Sequence, residues 1–168
     1  TTGVWTVNTW QHFAVWFDAS TLKQFIDGSQ IRSESYSNLT SSNTNIDIGR
    51  HASASNYFTV YLDDIRILKG YAKYTADFVP PTTAATTSVS ETVNDLTTLY
   101  LPFDVDGTLG STSVPSSEVS LYLPYDSDLN DDSSNGHTAS VGGDAAISST
   151  QSKFGGYSLY LDGSDDRI

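Results

Sequence analysis

Side chains alternate apolar and polar along most of this chain, in short runs closed by turn residues, and that pattern restricts the fold more than any other feature. Period-2 alternation puts every second residue on one face of a strand, whereas an amphipathic helix needs apolar residues spaced three and four apart. His12-Phe13-Ala14-Val15-Trp16-Phe17 reads as one strand and Thr21-Leu22-Lys23-Gln24-Phe25-Ile26 as the next. Asp27-Gly28 follows, a pair that tolerates the left-handed backbone of a two-residue hairpin turn, and Gln30-Ile31-Arg32-Ser33 resumes the extended pattern. Asn45–Gly49 alternates cleanly. The run from Phe58 to Leu68 is long enough for a central strand or a strand with a bend. Residues 69–78 allow one short helical turn, and Pro80-Pro81 closes the segment, since proline removes a donor and pushes its predecessor out of helix.

Residues 82–98 are rich in Thr, Ser and Ala and read as a linker or a long connection. Two related strings follow, Leu99-Tyr100-Leu101-Pro102-Phe103-Asp104 and Leu121-Tyr122-Leu123-Pro124-Tyr125-Asp126, 22 residues apart. Each is a strand whose proline cannot donate to a ladder, which places it at an edge or a bend. Ser158–Gly163 is a last alternating strand with a turn. Short strands, frequent turns and no long helix predict an all-β antiparallel sandwich or barrel.

The balance of 20 acidic against 8 basic residues, a net charge of −12, excludes a general nucleic-acid binder, which needs clustered Lys and Arg to neutralise phosphates. The same surplus suits divalent cations. With no cysteine, disulfides and thiolate metal sites are excluded. No apolar run approaches the ~20 residues of a membrane-spanning helix, so insertion into a membrane is not expected. Trp5, Trp10 and Trp16 are most simply core or interface residues.

Several strings together resemble laminin-G-like members of the concanavalin-A-like lectin/glucanase superfamily. Trp10-Gln11-His12-Phe13-Ala14-Val15 resembles the family's W-x-H-V-A strand, and Leu22–Gly28 its L-x-L-F-V-D-G hairpin. Ile46-Asp47-Ile48-Gly49-Arg50 resembles L-x-I-G, and Leu62–Ile67 with Lys69-Gly70 and Tyr74 resembles G-x-I-D-D-V-R-I-x-K-G-x-A-R-Y. Asp132–His137 and Phe154–Gly163 resemble the opening of such a domain. The resemblance implies a jelly-roll β-sandwich, incomplete or permuted, of the kind found in phage tail and fibre proteins and bacterial surface proteins. In the family the segment resembling 119–168 comes first and the one resembling 1–81 last. The chain is therefore expected to hold 1–81 as the end of a sandwich, 82–118 as a linker with one extra strand, and 119–168 as the start of a sandwich. The latter is either the next repeat of a tandem array or a permuted completion of the first. The missing initiator methionine favours the array.

Catalysis has little to build on. The glucanase branch of the family uses E-x-D-x-x-E on one strand, to hold two carboxylates across a glycosidic bond. The three glutamates, Glu34, Glu91 and Glu118, form no such pattern. No nucleophile elbow accompanies His12, His51 or His137, so no enzyme is expected. Calcium wants six to eight oxygens, and Asp126, Asp128, Asp131 and Asp132 with Asn130 and Asn135 make an oxygen-rich loop. The resemblance implies that this loop meets Asp63 and Asp64 in a complete sandwich. A solvated acidic turn whose Asp and Asn cap backbone groups is the alternative. Arg50, His51, Asn56 and Tyr57 share a loop whose amides and ring could contact a sugar, while Tyr71 and Tyr74 read as packing residues. Asn38-Leu39-Thr40 matches the glycosylation acceptor pattern. The expected function is a non-catalytic structural or adhesion module at a virion or cell surface, whose partners are other copies or neighbouring subunits. A calcium-assisted module for a glycan or cell-surface receptor is the alternative.

Overall fold

The computed structural model describes residues 5–17, 20–35, 46–50, 57–69, 72–85 and 119–168. Among them there are eight strands and no helix: β1 (Phe13–Phe17), β2 (Thr21–Ile26), β3 (Ser29–Ser35), β4 (Thr59–Leu62), β5 (Ile65–Leu68), β6 (Val119–Leu123), β7 (Ala146–Ser148) and β8 (Ser158–Asp162). All pairings are antiparallel, the architecture of a concanavalin-A-like β-sandwich. The strands form sheets ordered β1-β2-β3, β4-β8-β7 and β5-β6.

The β2–β3 hairpin turns at Asp27-Gly28, with φ of 49° and 81°. Both central residues are left-handed, so the turn's twist matches that of its strands. The Asp27 carboxylate accepts from the His12 backbone N–H, and the Asp27 N–H donates to the His12 carbonyl, tying the turn to the start of β1. Residues 72–81 lie across this hairpin without forming the expected helical turn. Phe78 stacks on Tyr74 at 3.6 Å between centroids and meets Phe25 and His12 edge-on. The Phe78 N–H donates to the Gly28 carbonyl at 2.9 Å. A β-carbon on Gly28 would collide with the Phe78 carbonyl, so the close approach needs glycine here.

The run from 58 to 68 is a strand with a bend. It breaks at Asp63-Asp64, where Asp64 takes φ 54°, and its halves enter different sheets. β4 pairs β8 with Val60 opposite Leu161, and β5 pairs β6 with Arg66 opposite Tyr122. Segments 1–81 and 119–168 thus share their ladders. Leu121, Leu123, Tyr125, Ala145, Leu159 and Leu161 form the main core, flanked by Val60, Leu62, Ile65 and Ile67. Leu159 and Leu161 are fully buried, and each contributes about 2 kcal/mol of apolar transfer. A second cluster joins Val119 and Tyr122 to Leu68 and Ala85. The alternating stretch at 45–49 is shorter than expected: within its described part, Ile48 exchanges two backbone hydrogen bonds with Ile168, and no strand extends beyond that pair. β7, three residues long, carries too little alternation to be read from sequence.

Candidate functional site

The acidic loop after β6 is organised by one carboxylate. Asp131 Oδ1 accepts from the N–H groups of Tyr122 and Ser133, and its Oδ2 from the Ser133 hydroxyl and the His137 N–H, all at 2.8–2.9 Å. Burial opposes its charge, but these donors outweigh burial and hold Asp131 below the usual carboxylate range. Asp128 accepts from the Asn130 N–H, the capping role open to such a loop. Asn135 Nδ2 and His137 Nε2 reach the Ser120 carbonyl. An open groove of about 390 Å³ follows the loop, between Leu129-Asn130-Asp131 and Gly136–Ala139. Asp132, next in the chain, is exposed.

Asp63 and Asp64 sit where the chain passes from β4 to β5. Both Asp64 oxygens lie within hydrogen-bond reach of the Ala85 N–H. Asp63 Oδ2 accepts from Lys153 and Phe154, at 2.6 and 2.9 Å, while Oδ1 is enclosed without a partner. Burial raises the Asp63 pKa, and the charges of Asp64 and Asp126 push the same way against those two N–H donors. Asp126, exposed, lies against Gly155, where any side chain would strike its carboxylate. The structure therefore brings Asp126 towards Asp63, whereas Asp131 and Asp64 spend their oxygens on backbone donors. The six expected acids do not converge as one ligand set.

Three other acids do converge. Carboxylate oxygens of Asp144, Asp165 and Asp166 lie within 4.8 Å of one another. A bridge between Gly142 and Arg167 brings the two segments together, and Gly143 leaves room where a β-carbon would press on the acids. Asp166 is 1% exposed. Its Oδ1 accepts from the Asp144 N–H at 2.8 Å and its Oδ2 from the Asp162 N–H at 2.6 Å. Burial works against the Asp166 charge, yet these donors keep its pKa low. Asp144, exposed, is raised by the Asp166 side chain it faces. The Asp165-Asp166 doublet after the Gly163 turn was the available sequence signal, but its partner at 144 is about twenty residues away and only the fold reveals it. As a donor set the three suit a hard divalent cation that completes its shell with water or carbonyls.

On the 50–57 loop, Arg50 pairs with Asp47 at 2.9 Å and bridges to Tyr57. His51 and Asn56 lie outside the described residues, as do Tyr71, Asn38-Leu39-Thr40 and the 99–104 string. His12 packs edge-on against the stacked Tyr74 and Phe78 rings, its Nδ1 enclosed without a partner, and burial followed by the Lys73 charge lowers its pKa. It is a packing residue. Trp5 is 60% exposed and tilts against Phe13, itself 47% exposed, with Val15 beyond it at 52%.

Residues 1–73 match the family model of the concanavalin A-like lectin/glucanases superfamily, laminin-G type. No curated protein and no solved structure shows a significant match to the chain. The match covers the first 73 of 168 residues, and the all-β antiparallel fold is consistent with it. Modules of this class are carbohydrate-binding or structural, generally without catalysis, and often bind metal ions.

Proposed function

We propose that this chain is a non-catalytic structural or adhesion module of a surface assembly, a virion or a cell exterior, joined to other copies or neighbouring subunits through the open side of the β1-β2-β3 sheet. The observation that carries this is the apolar strip of Phe13 and Val15 on β1, at the end of its sheet, extended by Trp5 against Phe13. Contiguous apolar surface beside an edge strand marks a contact site more often than a free surface. Elsewhere Asp131, Asp64 and Asp166 stabilise backbone turns, which leaves them poorly placed for acid–base work. The test is the hydrodynamic size of the native protein at micromolar concentration. An assembly that Trp5→Ser with Phe13→Ser dissociates supports the proposal. A monomer whose size ignores both substitutions overturns it.

The convergence of Asp144, Asp165 and Asp166 favours a second reading, calcium-assisted binding of a glycan or receptor. Asp144 and Asp165 are exposed and would hold the ion, with Asp166 behind them. Calcium titration by calorimetry, followed by a glycan array with and without chelator, tests it. An unchanged heat trace and no chelator-sensitive signal would remove it.

A further inference from the structure

A strand at the end of a sheet carries unpaired N–H and C=O groups along its outer side, and proteins protect such edges with charge, proline or bulges. The β1-β2-β3 sheet protects one edge and leaves the other bare. On β3, Arg32 and Glu34 form an exposed ion pair at 2.8 Å, and the β2–β3 ladder carries a register shift at Gln24/Phe25. β1, Phe13-Ala14-Val15-Trp16-Phe17, has no charge and no proline, and its ladder with β2 runs without a shift. Among the described residues no strand lies on its outer side. An uncharged, β-prone, proline-free edge of this kind is a template for another strand. The two faces of the sheet are also unequal. Ala14 and Trp16 share theirs with Lys23 and Phe25, and residues 72–81 cover it through the Phe25–Phe78 contact and the Lys23 bond to the Thr75 carbonyl. Phe13, Val15 and Phe17 share the other face with Leu22, Gln24 and Ile26. Arg32 and Glu34, opposite Gln24 and Leu22, bring charges to it that offset each other.

We infer that β1 pairs antiparallel with β1 of a second copy of this chain, about a twofold axis at Val15, merging two three-stranded sheets into one of six. The inference rests on the reading of this side as a contact site and adds the occupant and the register. Centring on Val15 is the register that pairs all five residues, and the strand is self-complementary in it. Val15 meets Val15, Phe13 meets Phe17, and small Ala14 meets large Trp16, so the apolar row continues across the seam. Charge selects a second copy over a basic partner. A basic surface would be drawn to the carboxylates of Asp126–Asp132 or of Asp144, Asp165 and Asp166, whereas β1 offers it nothing. Copies of net charge −12 repel, but that repulsion fades over ~8 Å at physiological ionic strength, and a seam between two uncharged strands brings no like charges into opposition.

The chain has no cysteine, so one introduced thiol reports its own neighbour. Opposed residues of an antiparallel pair have Cα atoms ~4.5–5.5 Å apart, inside the ~7 Å limit for a disulfide. Val15→Cys, oxidised with diamide at micromolar concentration, should form a disulfide-linked dimer at least about tenfold above Arg32→Cys, a comparably exposed site on the far strand. Val15→Lys sets like charges directly opposite each other and should reduce the native assembly to monomers in sedimentation velocity. Val15→Glu should do the same, and an equimolar mixture of Val15→Lys and Val15→Glu should reassociate. An assembly in which Val15→Cys links no better than Arg32→Cys, or a mixture that stays monomeric, overturns the β1 pairing and leaves the broader contact reading to its own test with Trp5→Ser and Phe13→Ser. A native chain that is monomeric overturns both. Val15→Cys is a small change at a half-exposed site, so the cross-link decides even where the charged variants fail to fold.

Discussion

Removing the Asp166 carboxylate separates a structural acid from a metal ligand. Asp166→Ala deletes two charge-assisted hydrogen bonds, to the N–H groups of Asp144 and Asp162. Bonds to a charged group contribute about 1.5–3 kcal/mol each. Asp144 is exposed, so water replaces part of its loss, while the Asp162 donor is half-buried and stays short of partners. Relief of repulsion with Asp144 and Asp165 returns a fraction. A net loss of about 3 kcal/mol follows, which lowers Tm by roughly 6–12 °C for a chain of this size. Urea unfolding followed by tryptophan fluorescence, in chelator and again in millimolar calcium, measures it. Asp165→Ala, an exposed carboxylate, is the comparison and should change stability in chelator by less than about 0.5 kcal/mol. A loss under 1 kcal/mol for Asp166→Ala in chelator, or one that appears only with calcium, would refute the turn-stabilising role.

Gly28→Ala should cost at least about 2 kcal/mol, because the turn needs a left-handed residue and the new methyl meets backbone rather than a movable side chain; thermal melts followed by circular dichroism check it. Tyr125→Phe should be neutral or stabilising by about 1 kcal/mol in chemical denaturation, since it removes an unpartnered buried hydroxyl. His12 has a folded pKa below its ordinary 6.5, so the unfolded chain binds its proton first. Its contribution is complete above about 6.5 and is lost as pH falls through that value towards the folded pKa. Denaturation midpoints at pH 7.5 and 5 should differ more for the native chain than for His12→Gln. Asp131, held low, adds stability above its ordinary 3.8 that is lost as pH falls further; Asp131→Asn should flatten stability between pH 4 and 2.

The hairpin at Asp27-Gly28, the β6 and β8 strands and the bend within 58–68 were legible in the residues, because period-2 alternation and turn chemistry act over a few positions. What escaped was long-range. Nothing in the stretch up to Gly49 shows that Ile48 pairs with Ile168, a partner 120 positions downstream. The acids tell the same story. A dense run from Asp126 to Asp132 looks like a ligand set, yet Asp131 turns inward to bind its own loop, and Asp144 gains neighbours from a segment about twenty residues later. Composition reports how many carboxylates are present, whereas lone-pair direction is set by backbone geometry that spacing does not encode. The burial of His12 against Tyr74 and Phe78 follows from residues more than sixty positions away, which its local strand pattern does not announce.

The left-handed break at Asp64 has a kinetic consequence. The four residues of β4 before it and the four of β5 after it find their ladder partners far downstream, with the Thr59 hydroxyl reaching the carbonyl of Asp162 across 103 positions. Closing so large a loop carries an entropic cost before any contact rewards it, and such topologies fold slowly. During synthesis the β2–β3 hairpin can form early, but residues 59–68 must wait with bare edges until residues 119–162 have been made.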